Sequence, residues 1–218
     1  MIAIQSYYGH KPLLDWELKC WEVSYDSILK HTNVTDIIIF TNNKDFVPFS
    51  KNVELLPNIL DKEFKKGWWQ IYKQWLYKEM SEPFLHIDSD LILIKDLPEL
   101  TGDIICEKIR NNNIVTRIEE SVGETRPLQL LCSGIMGSST KNNIFNDVWE
   151  KVYPFMVNFE GGIKNSYRWA LEEGVISSMS KNLEVQALND EFFYHFQGRL
   201  LKMNTSVHKF VYDLYSKL

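Results

Sequence analysis

Two carboxylates lie inside an apolar run, FLHIDSDLIL, at residues 84 to 93. Side chains at positions i and i+2 of a β-strand share a face. An extended segment would therefore bring Asp88 and Asp90 to one point, with Ser89 facing away. Unpaired charges in apolar surroundings are costly, and a divalent cation such as Mg²⁺ offsets this cost by binding carboxylate and phosphate oxygens. The spacing predicts a metal site.

A second interpretation is a pair of solvated aspartates at the end of a strand, because the Asp-x-Asp pattern is common by chance. The residues on both sides decide between the two. Asp90 is followed at once by LILI, residues 91 to 94, so the pair is embedded in apolar sequence. A solvated turn is less natural in that setting, which favours the metal site.

The elements around this segment predict an α/β fold. Strand-like runs alternate with helical patterns in which apolar residues recur every three or four positions. This order is typical of a single domain, residues 1–218, with a mostly parallel central sheet flanked by helices. Ligands of such sheets bind beyond the carboxyl ends of the strands. Strands are predicted at 2–8, 36–43, 52–58, 84–93, 102–108, 126–139 and 183–188, helices at 11–31, 64–80, 143–156 and 167–181, and a tail from 191.

Composition and charge narrow the classes of partner and location that the sequence allows. The chain has 218 residues and a net charge of −5 with both signs intermixed, which makes a nucleic-acid partner unlikely. No apolar run is long enough for a membrane span, and no basic and apolar leader pattern opens the sequence. Three widely spaced cysteines without a CxxC pattern indicate free thiols in a reducing compartment. These features favour a cytoplasmic protein.

The longer segment PFLHIDSDLILIKDLPEL resembles the DxD segment of glycosyltransferases with the GT-A fold, which is Rossmann-like. The likeness is greatest to glycosyltransferase family eight and to related capsular or lipopolysaccharide sugar transferases. It implies that Asp88 and Asp90 bind Mn²⁺ or Mg²⁺, and that this ion holds the diphosphate of a nucleotide sugar. A UDP-sugar is the favoured donor.

The segment YHFQGRLLK, residues 194–202, is similar to the C-terminal His-x-x-Gly-x-x-Lys of family eight. The resemblance implies that His195 is the third metal ligand and that Gly198 belongs to the donor site. Lys202 comes one residue late and the Pro-Trp that follows in the family is absent. Arg199 is therefore an alternative to Lys202 as the cation for the diphosphate.

Five further positions match the donor side of the family's site. The first strand ends in Tyr7 and Tyr8, either of which could stack on the base or pack beneath helix 11–31. Lys73 lies on an apolar helical stripe with Trp69, where it either meets an anion or extends its amine to solvent. Gly134, in CSGIMGSS, matches the family's glycine-containing loop, where glycine lets the backbone approach a ligand closely. The alternative is an ordinary turn, which also favours glycine. Ser89, between the two aspartates, is also assigned to the donor site.

ALEEGVISSM, residues 170–179, matches the acidic part of the family's acceptor site. Glu172 and Glu173 are the candidates for contacting the acceptor, and with Lys73 they form the predicted catalytic set. In inverting enzymes such a carboxylate acts as general base, whereas the His-x-x-Gly segment favours retention of configuration. The polar stretch 110–127 is predicted to be a mobile flap.

The sequence therefore predicts a metal-dependent glycosyltransferase acting on a glycan, lipid-linked saccharide or protein. A catalytically degenerate protein that only binds sugar nucleotides is the main alternative. A DxD phosphatase is disfavoured because its nucleophile would lie on the first strand. A nucleotidyltransferase would need a glycine-rich loop after that strand, and SYYGHKP offers a single glycine.

Overall fold

The computed structural model describes residues 1–65, 67–68, 70–112, 118–141, 143–160, 162, 170–196 and 204–217. Its strands are β1 (Ile2–Tyr7), β2 (Ile37–Thr41), β3 (Val53–Leu55), β4 (Phe84–Ile87), β5 (Leu91–Leu93), β6 (Ile104–Cys106), β7 (Ile109–Asn111), β8 (Gln129–Leu131), β9 (Ile135–Ser138), β10 (Val185–Ala187) and β11 (Phe193–His195).

The helices are α1 (Asp15–His31), α2 (Asp61–Lys65), α3 (Ile71–Glu79), α4 (Ile118–Ser121), α5 (Ile144–Asn158), α6 (Val175–Met179) and α7 (Thr205–Tyr215). Short 3₁₀ turns occupy Lys44–Phe46 and Asn58–Leu60, and Ala170–Gly174 form a single π-helical turn ahead of α6.

Seven strands form one sheet in the order β10-β6-β9-β4-β1-β2-β3. The pairs β1–β2, β2–β3 and β10–β6 are parallel, and β6–β9 is antiparallel. The predicted α/β class with a mostly parallel sheet is thus confirmed. Two compact units divide the chain, and that they belong to one domain stays a prediction. Unit 1 comprises Met1–Leu56, Leu85–Glu99 and Leu188–Leu218, and unit 2 comprises Pro57–Phe84 and Leu100–Ala187.

In unit 1, buried side chains of α1 hold the strands through hydrogen bonds. The Trp21 Nε1 atom donates to the Gln5 Oε1 atom at 2.7 Å, and the Gln5 amide donates to the Ser24 Oγ atom at 2.8 Å. Ser24 in turn donates to the Leu91 carbonyl at 2.5 Å. The Leu93 N–H donates to the Ser27 Oγ atom at 3.0 Å. These bonds fix the position of β5 against α1.

A second strand ladder of unit 1 pairs β5 with β11 in antiparallel register, with His195 opposite Leu91. Apolar packing supports this ladder from α1 and α7. The core there consists of Cys20, Val23, Ile92, Phe196 and Val211, all buried.

Unit 2 is held by aromatic packing between α3 and α5. The Tyr77, Phe84 and Phe145 rings pack together, with centroid separations of 5.2 to 5.6 Å. Strands β7 and β8 of the same unit pair antiparallel, with Ile109 opposite Leu131. Helix α5 contributes Val148, Val152 and Met156, which are buried.

Four sequence-based boundaries are wrong. The helix expected at 64–80 is split into α2 and α3, because Gly67 adopts a φ of 103° that ends helical geometry. The strand expected at 126–139 is two strands, β8 and β9, joined by a turn at 132–134. The segment 84–93 is likewise two strands. The tail expected from 191 contains β11 and the helix α7.

The three cysteines are free thiols, as predicted, and all three are buried. Burial raises the pKa of both the Cys106 and Cys132 thiols to about 12, so neither is an activated nucleophile. Over the ranges that the structure describes, no helix combines the length and the apolar character that a membrane span requires.

Candidate functional site

Asp88 and Asp90 lie in the turn that joins β4 to β5, and the Leu91 N–H donates to the Asp88 carbonyl at 3.0 Å across this turn. The expectation that they project from one continuous strand is therefore wrong. A tight turn brings the two carboxylates together instead. Both residues are partly buried, and the flanking strands are fully buried.

The β5–β11 ladder brings His195 to the same turn. His195 lies opposite Leu91 in this ladder, and just after it the Phe196 N–H donates to the Asp90 carbonyl at 3.0 Å. The His195 Nε2 atom lies 3.4 Å from the Asp90 Oδ1 atom. Two backbone segments that are far apart in the sequence thus meet at a fixed register.

The predicted metal ligands are brought together by this arrangement. One ligand atom from each of Asp88, Asp90 and His195 lies within 4.8 Å of the others. Two carboxylates and a neutral imidazole suit a divalent cation such as Mn²⁺ and leave coordination positions for phosphate oxygens. The residues present therefore fit the ion that the sequence implied.

His86 is a buried neighbour of this cluster that sequence reasoning missed. Its side chain has no exposed surface, its Nε2 atom lies 2.9 Å from the Ser6 Oγ atom, and its Nδ1 atom lies 3.8 Å from the Asp88 Oδ1 atom. The signal was present in the sequence, because His86 and Asp88 are two positions apart at the end of a strand. Ser6, at the end of β1, completes the chain of contacts.

The predicted base-stacking residues lie elsewhere on β1 and after it. The Tyr7 ring packs against Trp21 and Phe46, with centroids 6.0 and 5.8 Å apart, and its hydroxyl donates to the Lys11 carbonyl at 3.1 Å. The Tyr8 ring contacts His10. Ser89 is partly buried between the two aspartates, in the same turn.

In unit 2, Lys73 and Glu172 form a buried ion pair. The Lys73 Nζ atom lies 3.6 Å from the Glu172 Oε1 atom, and the two side chains are 22% and 3% exposed. The π-helical turn presents Glu172 and Glu173 in succession, and such turns are frequent at functional sites. No pattern in the sequence indicates this π-turn.

Glu173 is held by a different pair of donors. The Arg110 Nη2 atom lies 2.5 Å from its Oε2 atom, and the Ser133 N–H donates to its Oε1 atom at 3.2 Å. Burial raises the pKa of the Glu173 carboxyl above its usual range, although Arg110 lowers it in part. Gly134 lies in the same turn as Ser133 and is buried. Arg110 was not predicted to meet a site residue.

Glu119 is a third buried acid beside the π-turn. Only 1% of its surface is exposed, and neither carboxylate oxygen has a hydrogen-bond partner within the described ranges. A Cβ atom on Gly174 would lie 2.5 Å from the Glu119 Oε1 atom, so glycine there leaves room for this side chain. Burial raises the pKa of the Glu119 carboxyl. It lies in the stretch predicted as a flap.

Several predicted positions lie outside the described residues. These are Gly198, Arg199 and Lys202 of the C-terminal motif, Trp69 of the helical stripe, and residues 113–117 of the predicted flap. Their assignments stay predictions.

Comparison with known proteins defines the fold. No protein-family model matches the sequence, and no curated protein matches it. The galactosyltransferase LgtC, in a crystal structure with donor and acceptor sugar analogues, aligns with 100% of this chain and 96% of its own at a TM-score of 0.54 and 10% identity. The PaToxG glycosyltransferase aligns with 82% of this chain and 67% of its own, at a TM-score of 0.48 and 17% identity.

The alignment with LgtC spans the whole chain and nearly all of the solved structure. The chain therefore has a glycosyltransferase fold, and the fold predicted from the DxD segment is confirmed. At this level of identity the likeness concerns the fold, and activity has to be argued from the residues themselves.

Proposed function

We propose that this protein is a metal-dependent glycosyltransferase that moves a sugar from a nucleotide-diphosphate sugar, with UDP-sugars favoured, to an acceptor. The observation that carries the proposal is the convergence of Asp88, Asp90 and His195 within 4.8 Å in a chain with a glycosyltransferase fold. The acceptor classes remain a glycan, a lipid-linked saccharide or a protein. A cytoplasmic location stays a prediction.

Asp88, Asp90 and His195 would hold Mn²⁺ or Mg²⁺. When bound, the ion would neutralise the negative charge of the diphosphate, including the charge that develops on the leaving nucleoside diphosphate. Both carboxylates bind in their ionised form. His195 binds through a neutral ring nitrogen, so its side chain contributes a ligand without adding charge.

The donor side is assigned from the sequence motifs. Tyr7 and Tyr8 are proposed for the base, and Ser89 and Gly134 for close approach to the donor. Gly198, with Arg199 or Lys202, is proposed for the diphosphate, since a cation there would balance the phosphate charge. These assignments rest on the occurrence of the family's motifs in the same order along this sequence.

Between the two acids of the π-turn, we assign substrate contact to Glu172 and a structural role to Glu173. Arg110 and the Ser133 N–H occupy both oxygens of Glu173, which makes it a support for the turn that contains Gly134. Glu172, in the same π-turn that presents Glu173, is paired with Lys73 at 3.6 Å, and we propose that this pair engages sugar hydroxyls. Lys73 and Glu172 would thus act as one binding pair.

Retention of anomeric configuration is favoured by the likeness of the C-terminal motif to family eight. Proton NMR of the product distinguishes the outcomes, because the coupling constant at the anomeric position differs between α and β linkages. A product with the donor's configuration supports retention. An inverted product would instead assign Glu172 as the general base.

A thermal-shift screen of UDP- and GDP-sugars, with and without Mn²⁺, tests the proposal. At least one nucleotide sugar should raise the melting temperature only when the metal is present. The same sugar should be slowly hydrolysed by the wild-type protein and not by Asp88→Asn. Asp213→Asn, at an exposed position of α7, is the matched control and should behave as wild type.

The outcomes separate the candidate functions. Metal-dependent stabilisation together with hydrolysis or transfer supports the enzyme. Stabilisation without turnover, with any tested acceptor, supports the degenerate sugar-nucleotide-binding protein. Absence of metal-dependent stabilisation by every nucleotide sugar would overturn the proposal.

A further inference from the structure

A small cavity lies in unit 2 at the start of α3. It has about 10 Å³ available to the centre of a water molecule, which is the room that one water needs. Apolar side chains from α5 and from the π-turn close one side, and polar side chains close the other. The lining residues are Trp68, Gln70, Ile71, Gln74, Val152, Met156, Leu171 and Glu172.

Three polar atoms of this lining are buried without hydrogen bonds. The Trp68 Nε1 atom, the Gln70 Oε1 atom and the Gln74 Nε2 atom have no partner among the residues that the structure describes. Trp68 and Gln74 are 1% and 3% exposed, so bulk solvent does not satisfy them. Leaving such a group unsatisfied costs about 1–3 kcal/mol, so three in one cavity call for an occupant.

The helix places these atoms together. Gln70 is the N-cap residue of α3, and the Gln74 N–H donates to its carbonyl at 3.1 Å, so the two side chains lie on one face, one turn apart. The Ile71 N–H donates to the Trp68 carbonyl at 3.1 Å, which continues the same turn. Two N–H donors and one carbonyl acceptor therefore line one small space.

This donor and acceptor set defines the chemistry of the occupant. A group that accepts two hydrogen bonds and donates one matches Trp68, Gln74 and Gln70, and a hydroxyl group or a water molecule does this. The cavity volume excludes anything larger than one such group. Val152, Met156 and Leu171 supply an apolar wall. The Glu172 carboxylate in the lining is paired with Lys73, so its charge is balanced and a neutral occupant is favoured.

We propose that this cavity is a binding site for one neutral hydroxyl-sized group, either a water molecule or a hydroxyl of a bound sugar. Glu172 also lines the cavity. The group in the cavity would therefore lie beside the residue assigned to substrate contact. The sugar-hydroxyl source rests on the proposed glycosyltransferase function, whereas the water source does not depend on it.

Nuclear magnetic resonance of the free protein tests for the water. The Trp68 indole N–H resonance is identified by its absence in Trp68→Phe, which keeps an aromatic ring against Phe155 and Phe159. In the free protein this N–H should give a rotating-frame Overhauser cross-peak to water, with the sign of dipolar contact rather than of proton exchange. Gln74→Leu should lose the cross-peak, while Gln129→Leu, at an exposed strand position, should keep it.

Ligand addition then identifies the source. The same resonance is compared after addition of UDP and of the most stabilising UDP-sugar, each with Mg²⁺, which is diamagnetic and does not broaden the signal as Mn²⁺ would. Loss of the water cross-peak with the UDP-sugar but not with UDP assigns the cavity to a sugar hydroxyl, and retention with both assigns it to a structural water. A Trp68 indole with no dipolar contact to water in the free protein overturns the proposal. Failure of every nucleotide sugar to bind would overturn the proposed glycosyltransferase function but not the water site.

Discussion

The Nε2 atom of His195 lies 3.4 Å from the Oδ1 atom of Asp90, although Asp90 lies in the turn before β5 and His195 ends β11, much later in the chain. The antiparallel register of β5 and β11 produces this proximity. Backbone hydrogen bonds fix that register at both ends of the ladder, from the Phe196 N–H to the Asp90 carbonyl and from the Ile94 N–H to the Phe192 carbonyl. The candidate metal ligands are therefore positioned by strand pairing rather than by a free loop.

Removing the imidazole should weaken metal binding directly. His195→Ala is expected to lower Mn²⁺ affinity by about tenfold or more, because one ligand atom is lost from the cluster. Electron paramagnetic resonance of free Mn²⁺ measures this affinity without any substrate. His208→Ala, which removes a histidine of α7 that stacks on Trp16 of α1, is the control and should bind Mn²⁺ as wild type does. Equal affinities for all three proteins would exclude His195 as a ligand.

The buried contact chain from Ser6 through His86 to Asp88 should position the Asp88 carboxylate. His86→Phe fills the space but supplies no ring nitrogen at 3.8 Å from the Asp88 Oδ1 atom. Mn²⁺ affinity is therefore expected to fall by about tenfold, and Ser6→Ala should cause a smaller loss.

If His86 acts through Asp88, the losses will not be additive. In a double-mutant cycle with Asp88→Asn, the His86→Phe change should have little further effect on Mn²⁺ affinity. Fully additive effects would contradict this coupling. A melting temperature for each variant separates loss of metal binding from loss of folding.

Ser24 should be a main determinant of unit 1 stability. It accepts from Gln5 at 2.8 Å and donates to the Leu91 carbonyl at 2.5 Å. Ser24→Ala leaves both buried partners unsatisfied and is expected to lower the free energy of unfolding by about 2 kcal/mol. Urea denaturation measures this change. Ser206→Ala, at an exposed position in α7, should change it by less than about 0.5 kcal/mol.

Disrupting the Lys73–Glu172 pair should lower turnover without weakening Mn²⁺ binding. Glu172→Gln removes the negative charge beside Lys73 and is expected to lower kcat/KM for transfer by about a hundredfold, with Mn²⁺ affinity unchanged. Glu173→Gln instead removes the charge that pairs with Arg110, so its main effect should be a lower melting temperature. The reverse pattern would exchange the roles of the two acids.

The α/β class and the convergence of Asp88, Asp90 and His195 could be predicted from the sequence, because period-two and helical patterns and the DxD and His-x-x-Gly motifs are local. Features that depend on tertiary contacts were missed. The break at Gly67 follows from a positive φ that a helical pattern does not reveal. Pairing of Arg110 with Glu173 and burial of Glu119 against Gly174 arise from segments that are distant in the sequence.

The buried Glu119 carboxyl should make stability depend on pH. Burial raises the pKa of this carboxyl in the folded protein above its value in the unfolded chain. Between these two pKa values the folded state binds more protons than the unfolded state, so the free energy of unfolding falls as the pH rises through that interval. The favourable contribution is complete below the unfolded pKa and is lost above the folded one.

Glu119→Gln should remove this dependence, because the amide is neutral at every pH. Relative to wild type, the variant is expected to gain on the order of 1 kcal/mol in unfolding free energy at pH 7.5 and nothing at pH 4. Urea denaturation across this range measures both. Glu120→Gln, at the exposed neighbouring position of α4, should follow the wild-type curve. Parallel curves for wild type and Glu119→Gln would show that Glu119 finds a partner for its charge in solution.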